Sequence, residues 1–332
     1  MPTFLQDLRE GLRALLKEDP SVLLLGEDIL DPYGGAFKAT AGLSSEFPSR
    51  VCGTPICEGT IAGMSVGLGL RGFRPIAEIM FGDFLTLTID QVINHAAKFQ
   101  AMYNGQVRVP MILRTPMGGG RGYGPTHSQN LEKVLLGTPH IKLLAPSLYG
   151  GPGQLLRQAA QDACPIIFIE DKLLYPLALG FPEGIRGELQ QSQGQYPVAL
   201  LRNYQGEADP DVTLITYGGL SRLVNALLPR LAAEEIRVLA CLPMSLQPLP
   251  TEALLEAVRR SRRAVIAEPG TRGFGWAAEV ASLLYGELFR ELQAPITMVG
   301  AYPSIIPSAF ELEKEVLVSA ETLEAAIVGC LS

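Results

Sequence analysis

Short apolar runs alternate along this chain with stretches in which apolar positions recur every three or four residues. Leu5, Leu8, Leu12 and Leu15 or Leu16 follow that spacing and predict an amphipathic first helix. A compact apolar run at 22–26 reads as a strand. Residues 55–72 read as a helix of small residues, 75–80 as a strand, 84–103 as a helix and 109–114 as a strand. After a glycine-rich loop come a strand at 141–145, a helix at 153–162 and a strand at 166–170. Strands that alternate with helices predict a parallel sheet covered on both faces.

The rhythm stops between residues 174 and 210. This segment holds the polar run QQSQGQ and then an apolar stretch at 196–201, and it reads as a linker plus a leading strand. Alternation resumes at Asp211, with strands at 212–217, 236–240, 264–268 and 296–300, and helices at 221–234, 251–260, 275–292 and 320–329. The expected fold class is therefore α/β with two domains, each a mostly parallel sheet flanked by helices. The first spans 1–185, the linker and leading strand 186–210, and the second 211–332.

Composition adds an expectation about assembly. Of 332 residues, 47% are apolar and 18% charged, and the mean hydropathy of +0.21 is high for a soluble chain. No apolar run approaches the ~18–20 residues of a membrane helix. The excess apolar surface is expected in well-filled cores and in a large interface with another subunit. Net charge is −7 and no Lys/Arg-rich run occurs, which argues against a nucleic-acid partner. The N-terminus lacks the apolar core of a signal peptide. Five scattered cysteines without a CxxC pair, and three histidines without ligand spacing, fit a reducing compartment and argue against disulfides or zinc. The expected location is the cytoplasm, or an organelle matrix after removal of a targeting segment.

Three local patterns fail on context. Gly67-Leu68-Gly69-Leu70-Arg71-Gly72 matches GxGxxG, but it closes a helix and precedes a strand, the reverse of a dinucleotide site. Gly118-Gly119-Gly120-Arg121-Gly122-Tyr123-Gly124 lacks the Lys-Ser/Thr of a phosphate loop. It reads as a loop that must approach a ligand or partner closely, or else as a mobile surface loop. Ser128 beside His127 has no GxSxG elbow, so a hydrolase triad is disfavoured.

Several strings, taken in order, resemble one family. They are Leu25-Gly26-Glu27-Asp28, Tyr33-Gly34-Gly35-Ala36-Phe37-Lys38, Thr54-Pro55-Ile56-Cys57-Glu58 and Arg74-Pro75-Ile76-Ala77-Glu78-Ile79-Met80. Ile89-Asp90-Gln91-Val92-Ile93-Asn94, Ala96-Ala97-Lys98 and His127-Ser128-Gln129 follow. The chain resembles the β subunit of the first, thiamine-diphosphate-dependent component of pyruvate and branched-chain 2-oxo acid dehydrogenase complexes. The likeness runs from residue 4 to 175. It continues more loosely into a transketolase C-terminal-like domain, where Cys241-Leu242-Pro243 departs from the family pattern and Gly273-Phe274-Gly275 keeps it. The first domain is then a pyrimidine-type thiamine-diphosphate-binding domain.

The resemblance implies a set of site residues. Glu58 takes the place of the carboxyl group that hydrogen-bonds the aminopyrimidine ring and switches the cofactor on. Without the resemblance it is an ordinary first-turn acid complementing a helix dipole. Phe84 matches an aromatic residue lying against that ring, with core packing as its plainer role. Ile56 and Met80 match apolar residues around the same ring. His127 matches a histidine that moves protons during acyl transfer or binds the substrate carboxylate. Asp162, in the turn Gln161-Asp162-Ala163-Cys164-Pro165, and Ala159 just before it align with a structural potassium site, although Cys164 stands where an Asn is common.

The diphosphate and Mg²⁺ motif, Gly-Asp-Gly with a distant Asn, is not matched at Gly82-Asp83-Phe84. The resemblance therefore implies an α-type partner carrying Mg²⁺, in an α2β2 assembly, and a lipoyl-bearing acyltransferase as acyl acceptor. A small 2-oxo acid is the expected substrate, pyruvate first. The alternatives are another split thiamine enzyme, such as an acetoin dehydrogenase, a transketolase-like half or a biosynthetic acyl transferase, and a non-catalytic scaffold subunit.

Overall fold

The computed structural model describes residues 1–191 and 196–332; positions 192–195 of the QQSQGQ run lie outside the described residues. In the first half, strands β1 (Val22–Glu27), β2 (Val51–Thr54), β3 (Arg74–Glu78), β4 (Ile112–Met117), β5 (Lys142–Leu144) and β6 (Ile166–Asp171) alternate with helices α1 (Phe4–Glu18), α2 (Leu43–Glu46), α3 (Glu58–Leu70), α4 (Ala97–Met102) and α5 (Pro152–Ala159). The second half adds β7 (Arg186–Gln190), β8 (Val198–Arg202), β9 (Val212–Ile215), β10 (Val238–Pro243), β11 (Ser245–Gln247), β12 (Ala264–Thr271) and β13 (Thr297–Ala301). Its helices are α6 (Ser221–Ala233), α7 (Thr251–Ser261), α8 (Trp276–Leu288), α9 (Phe310–Val316) and α10 (Ala320–Leu331).

Two mostly parallel sheets result, as the alternation predicts. The first has the order β11-β5-β6-β4-β3-β1-β2 and the second β13-β12-β9-β10-β8-β7. All pairs of the first sheet are parallel except β11 with β5. That exception matters, because β11 follows β10 in the chain and ties the second half to the edge of the first sheet. The expected linker over 186–210 is corrected in part: β7 and β8 form an antiparallel hairpin on the second sheet. Its first arm, Arg-Gly-Glu-Leu-Gln, is an edge strand, and a polar edge strand leaves no apolar run to read. β2, at the edge of the first sheet, is Val-Cys-Gly-Thr, too short to leave an apolar run.

The amphipathic first helix forms as its spacing requires. Thr3 and Gln6 close a capping box, and Phe4, Leu8, Leu12, Leu15 and Leu16 are buried. Each such side chain stabilises the fold by about 1.5–3 kcal/mol relative to exposure. Gly11 of α1 lies against Gly153 of α5 so closely that a Cβ would sit 2.4 Å from the Gly153 Cα. Any side chain there would push the two helices apart. One cluster of buried side chains runs from Leu8, Leu12, Leu155 and Leu156 across to Leu223, Leu227, Leu323 and Ile327, so both halves share it. No helix among the described residues is long and apolar enough to cross a membrane.

The single helix expected over 84–103 is three successive windings. A 3-10 segment covers Gly82–Thr88, a π turn Gln91–Ala96, and α4 follows. The Thr86 and Thr88 hydroxyls donate to the carbonyls of Asp83 and Leu85, three residues back, and so hold the tighter winding.

Candidate functional site

Every residue expected at the cofactor lies just beyond the carboxyl end of a parallel strand. Ile56 and Glu58 follow β2, Met80 and Phe84 follow β3, and His127 follows β4. Open α/β sheets bind ligands along this edge, where the loops are free of the ladder.

Glu58 is the first residue of α3 and is 7% exposed. Glu27, the last residue of β1, is buried beside it. Burial, and then the neighbouring Glu58 carboxylate, push the Glu27 carboxyl up to about 7. Glu27 Oε1 and Thr54 Oγ1, on register-paired residues of β1 and β2, are buried without a partner. α3 also packs on the winding that carries Phe84: a Cβ on Gly59 would come 3.2 Å from the Leu87 carbonyl.

Phe84 and His127 are brought together. Their rings meet edge to face at 5.3 Å, and Phe81 closes the cluster at 4.6 Å from His127 and 6.5 Å from Phe84. The His127 ring accepts or donates one hydrogen bond with Thr126 Oγ1 at 3.0 Å. Lys172, just after β6, donates from Nζ to the His127 carbonyl at 2.7 Å and lies 5.4 Å from the Phe81 ring centroid. Burial pushes this ammonium down to about 8. Asp83 accepts from the Gln129 side chain at 2.8 Å. The His-Ser-Gln string is thus held at both ends, and the buried Ser128 hydroxyl between them has no partner. Met80 is half-buried and Ile56 is 75% exposed.

Glu27, Phe81, Asp83 and Lys172 were not singled out from the sequence. A charged residue ending an apolar strand was the available signal for Glu27, which follows VLLLG; Lys172 follows the acidic pair Glu170-Asp171 and reads as an ordinary solvated charge.

The loops rest on a buried ion network. Arg114 of β4 makes a bidentate pair with Glu170 at 2.7 and 2.9 Å, reaches Glu78 at 3.0 Å, and the Tyr175 hydroxyl donates to Glu170 at 2.7 Å. Burial raises the Glu78 carboxyl while the Arg114 guanidinium opposes the rise. Glu78 and Glu170 stand two residues before Met80 and Lys172, so Arg114 fixes the departure points of both site loops.

The glycine-rich loop has a partner of its own. Gly120 and Gly122 donate their amides to the two oxygens of Glu313 on α9, both at 2.8 Å, and Glu313 is fully buried. A Cβ at Gly119 would come 2.8 Å from Leu317. The close approach anticipated for this loop is an approach to the second half of the same chain.

The potassium site expected at Ala159 and Asp162 does not fit the residues present. Lys142 Nζ lies 2.8 Å from each oxygen of the Asp162 carboxylate, and the Tyr196 hydroxyl donates to the same group. The Asp162 carbonyl accepts from Arg74 at 2.7 Å, and the Ala159 carbonyl accepts from the Asp162 amide at 3.0 Å. Among the described residues, no group of three or more His, Cys, Asp or Glu side chains is arranged to hold a metal ion.

Residues 2–178 match the transketolase pyrimidine binding domain and residues 203–323 the transketolase C-terminal domain. The chain is 32% identical to the 2-oxoisovalerate dehydrogenase subunit beta of Bacillus subtilis, covering 98% of this chain and 97% of that one. It is 31% identical to the acetoin:2,6-dichlorophenolindophenol oxidoreductase subunit beta of Cupriavidus necator, over 96% and 94%. Identity to the pyruvate dehydrogenase E1 component subunit beta of Rickettsia felis is 32%, over 97% and 98%. A solved structure described as a split gene transketolase, inactive beta4 tetramer, shares the fold with a TM-score of 0.73 at 18% identity, over 100% of this chain and 99% of that one. Both domains and near-full-length similarity place the chain in the transketolase-like family of β subunits of the first, thiamine-diphosphate-dependent component of 2-oxo acid dehydrogenases.

Proposed function

We propose that this chain forms the aminopyrimidine half of a thiamine diphosphate site in an enzyme that decarboxylates a small 2-oxo acid and passes the acyl group to a lipoyl carrier. The observation that carries this reading is the buried Glu58 at the start of α3, beyond the carboxyl end of β2. The groups along the same edge of the sheet suit a flat, polar heterocycle. Buried oxygens of Glu27, Thr54, Asp83 and Ser128 lack partners, and the Phe81, Phe84 and His127 rings supply an apolar wall.

Thiamine diphosphate, when bound, supplies a nucleophilic carbon and an electron sink for decarboxylation. Glu58 would hold the aminopyrimidine ring nitrogen by a hydrogen bond. Such a bond counts for more in a water-poor site than in solvent. Phe84 would lie against the ring, with Ile56 and Met80 as apolar contacts. His127 would move a proton at the acyl-transfer step or hold the substrate carboxylate. Its loop is braced from both sides, which suits a group that must meet substrate in one orientation.

An α-type chain would bring Mg²⁺ and the diphosphate contacts, in an α2β2 assembly. Ile56 at 75% and Leu87 at 59% exposure, beside the site, support a partner surface there. Relatives carrying three substrate names match at 31–32% identity. Pyruvate is the substrate proposed first, with 3-methyl-2-oxobutanoate and acetoin as the comparisons. Isothermal titration of thiamine diphosphate into the α-type chain, with and without this chain, tests the reading. Affinity that needs both chains supports it, and affinity unchanged by this chain makes it a scaffold. Turnover of the three substrates with an artificial electron acceptor then ranks them.

A further inference from the structure

The Asp162 turn lies at the end of the first sheet opposite Glu58, beside the starts of β3, β5 and β6. Its carboxylate is paired with a cation of the same chain, the Lys142 ammonium. We propose that the Lys142 ammonium permanently fills the monovalent-cation position of this turn, so that the protein needs no potassium ion to fold or to hold its first domain.

Four features carry this. Lys142 Nζ sits at equal distance, 2.8 Å, from both Asp162 oxygens, a bidentate seat for one positive charge of about the size of a potassium ion. Tyr196 completes the seat: its hydroxyl donates to Asp162 Oδ2, and the lysine ammonium lies 5.3 Å from its ring centroid. Two backbone oxygens of the turn already carry a donor each, that of Asp162 the Arg74 guanidinium and that of Ala159 the Asp162 amide. Cys164 presents a sulfur, a poor ligand for a hard alkali cation, and burial raises its thiol further.

Lys142 is also held in place. Its amide donates to the Pro165 carbonyl at 3.0 Å, and it pairs in register with Ile166 on β6. An alkali ion entering beside it would meet a like charge. A built-in cation has a further consequence: through Tyr196, which leads into β8, it ties the turn to the second sheet.

Thermal unfolding of the full chain, in the complex in which it purifies, tests the proposal in KCl and in choline chloride at equal ionic strength. The wild-type Tm is expected to be the same in both salts. Lys142→Ala is expected to melt about 2–4 °C lower in choline chloride and to recover most of that loss in KCl. A potassium-specific rise in the wild-type Tm would overturn the proposal. So would a Lys142→Ala loss that KCl leaves unrelieved, since the lysine would then be an ordinary ion-pair partner. If the variant does not fold, the wild-type comparison alone decides.

Discussion

The Glu27 carboxyl titrates near neutrality because it is buried at the end of β1 with the Glu58 carboxylate beside it. Its folded-state value of about 7 lies above the ~4.3 of a free glutamate. The folded protein therefore binds more protons than the unfolded chain between those two values, and stability falls as pH rises across that window. Glu27→Gln removes this loss. The variant is expected to melt about 2–4 °C above wild type at pH 8 and level with it at pH 4. Parallel melting curves for the two proteins across this range would contradict the coupling.

Glu58→Gln keeps the shape of the site and removes the charge. Turnover by the assembled enzyme is expected to fall at least ~10²-fold, with Tm within a few degrees of wild type. The same variant tests the neighbour. Without the Glu58 charge, Glu27 should titrate at lower pH, as a carboxyl-stretch band in infrared spectra would report. Wild-type turnover in Glu58→Gln is incompatible with the proposed role.

Arg114→Met leaves Glu78 and Glu170 buried without their counter-charge. Breaking a buried ion pair from one side costs about 3–5 kcal/mol, which is a large part of the stability of an ordinary domain. Urea unfolding is expected to show this loss. A loss below ~1 kcal/mol would mean that the network contributes little to holding the β3 and β6 loops.

Glu313→Ala withdraws both acceptors from the Gly120 and Gly122 amides. Hydrogen exchange at these two amides is expected to rise at least ~10-fold, the equivalent of losing one charge-assisted hydrogen bond, with α1 and α5 unaffected. Glu313→Gln retains one acceptor oxygen and should fall between. Unchanged exchange in Glu313→Ala would show that the loop holds its shape unaided.

The sequence by itself determined the succession of strands and helices and hence two α/β halves, because apolar spacing reports which side of each element is buried. It also pointed to Glu58 and His127 through the ordered strings, and to Phe84 through the resemblance they carry, and all three lie beyond the carboxyl ends of strands of the first sheet. It did not reveal the edge strands β2, which is only four residues long, and β7, which is largely polar, or the passage of β11 into the first sheet. Nor did it reveal the ionic joints. Arg114 meets Glu170 across 56 positions, Lys142 meets Asp162 across 20, and Glu313 reaches Gly120 across 193. A lone lysine or glutamate in a sequence reads as a solvated surface charge. Only the tertiary structure decides which charges lose their water, and a charge that loses its water must find a partner wherever the fold brings one.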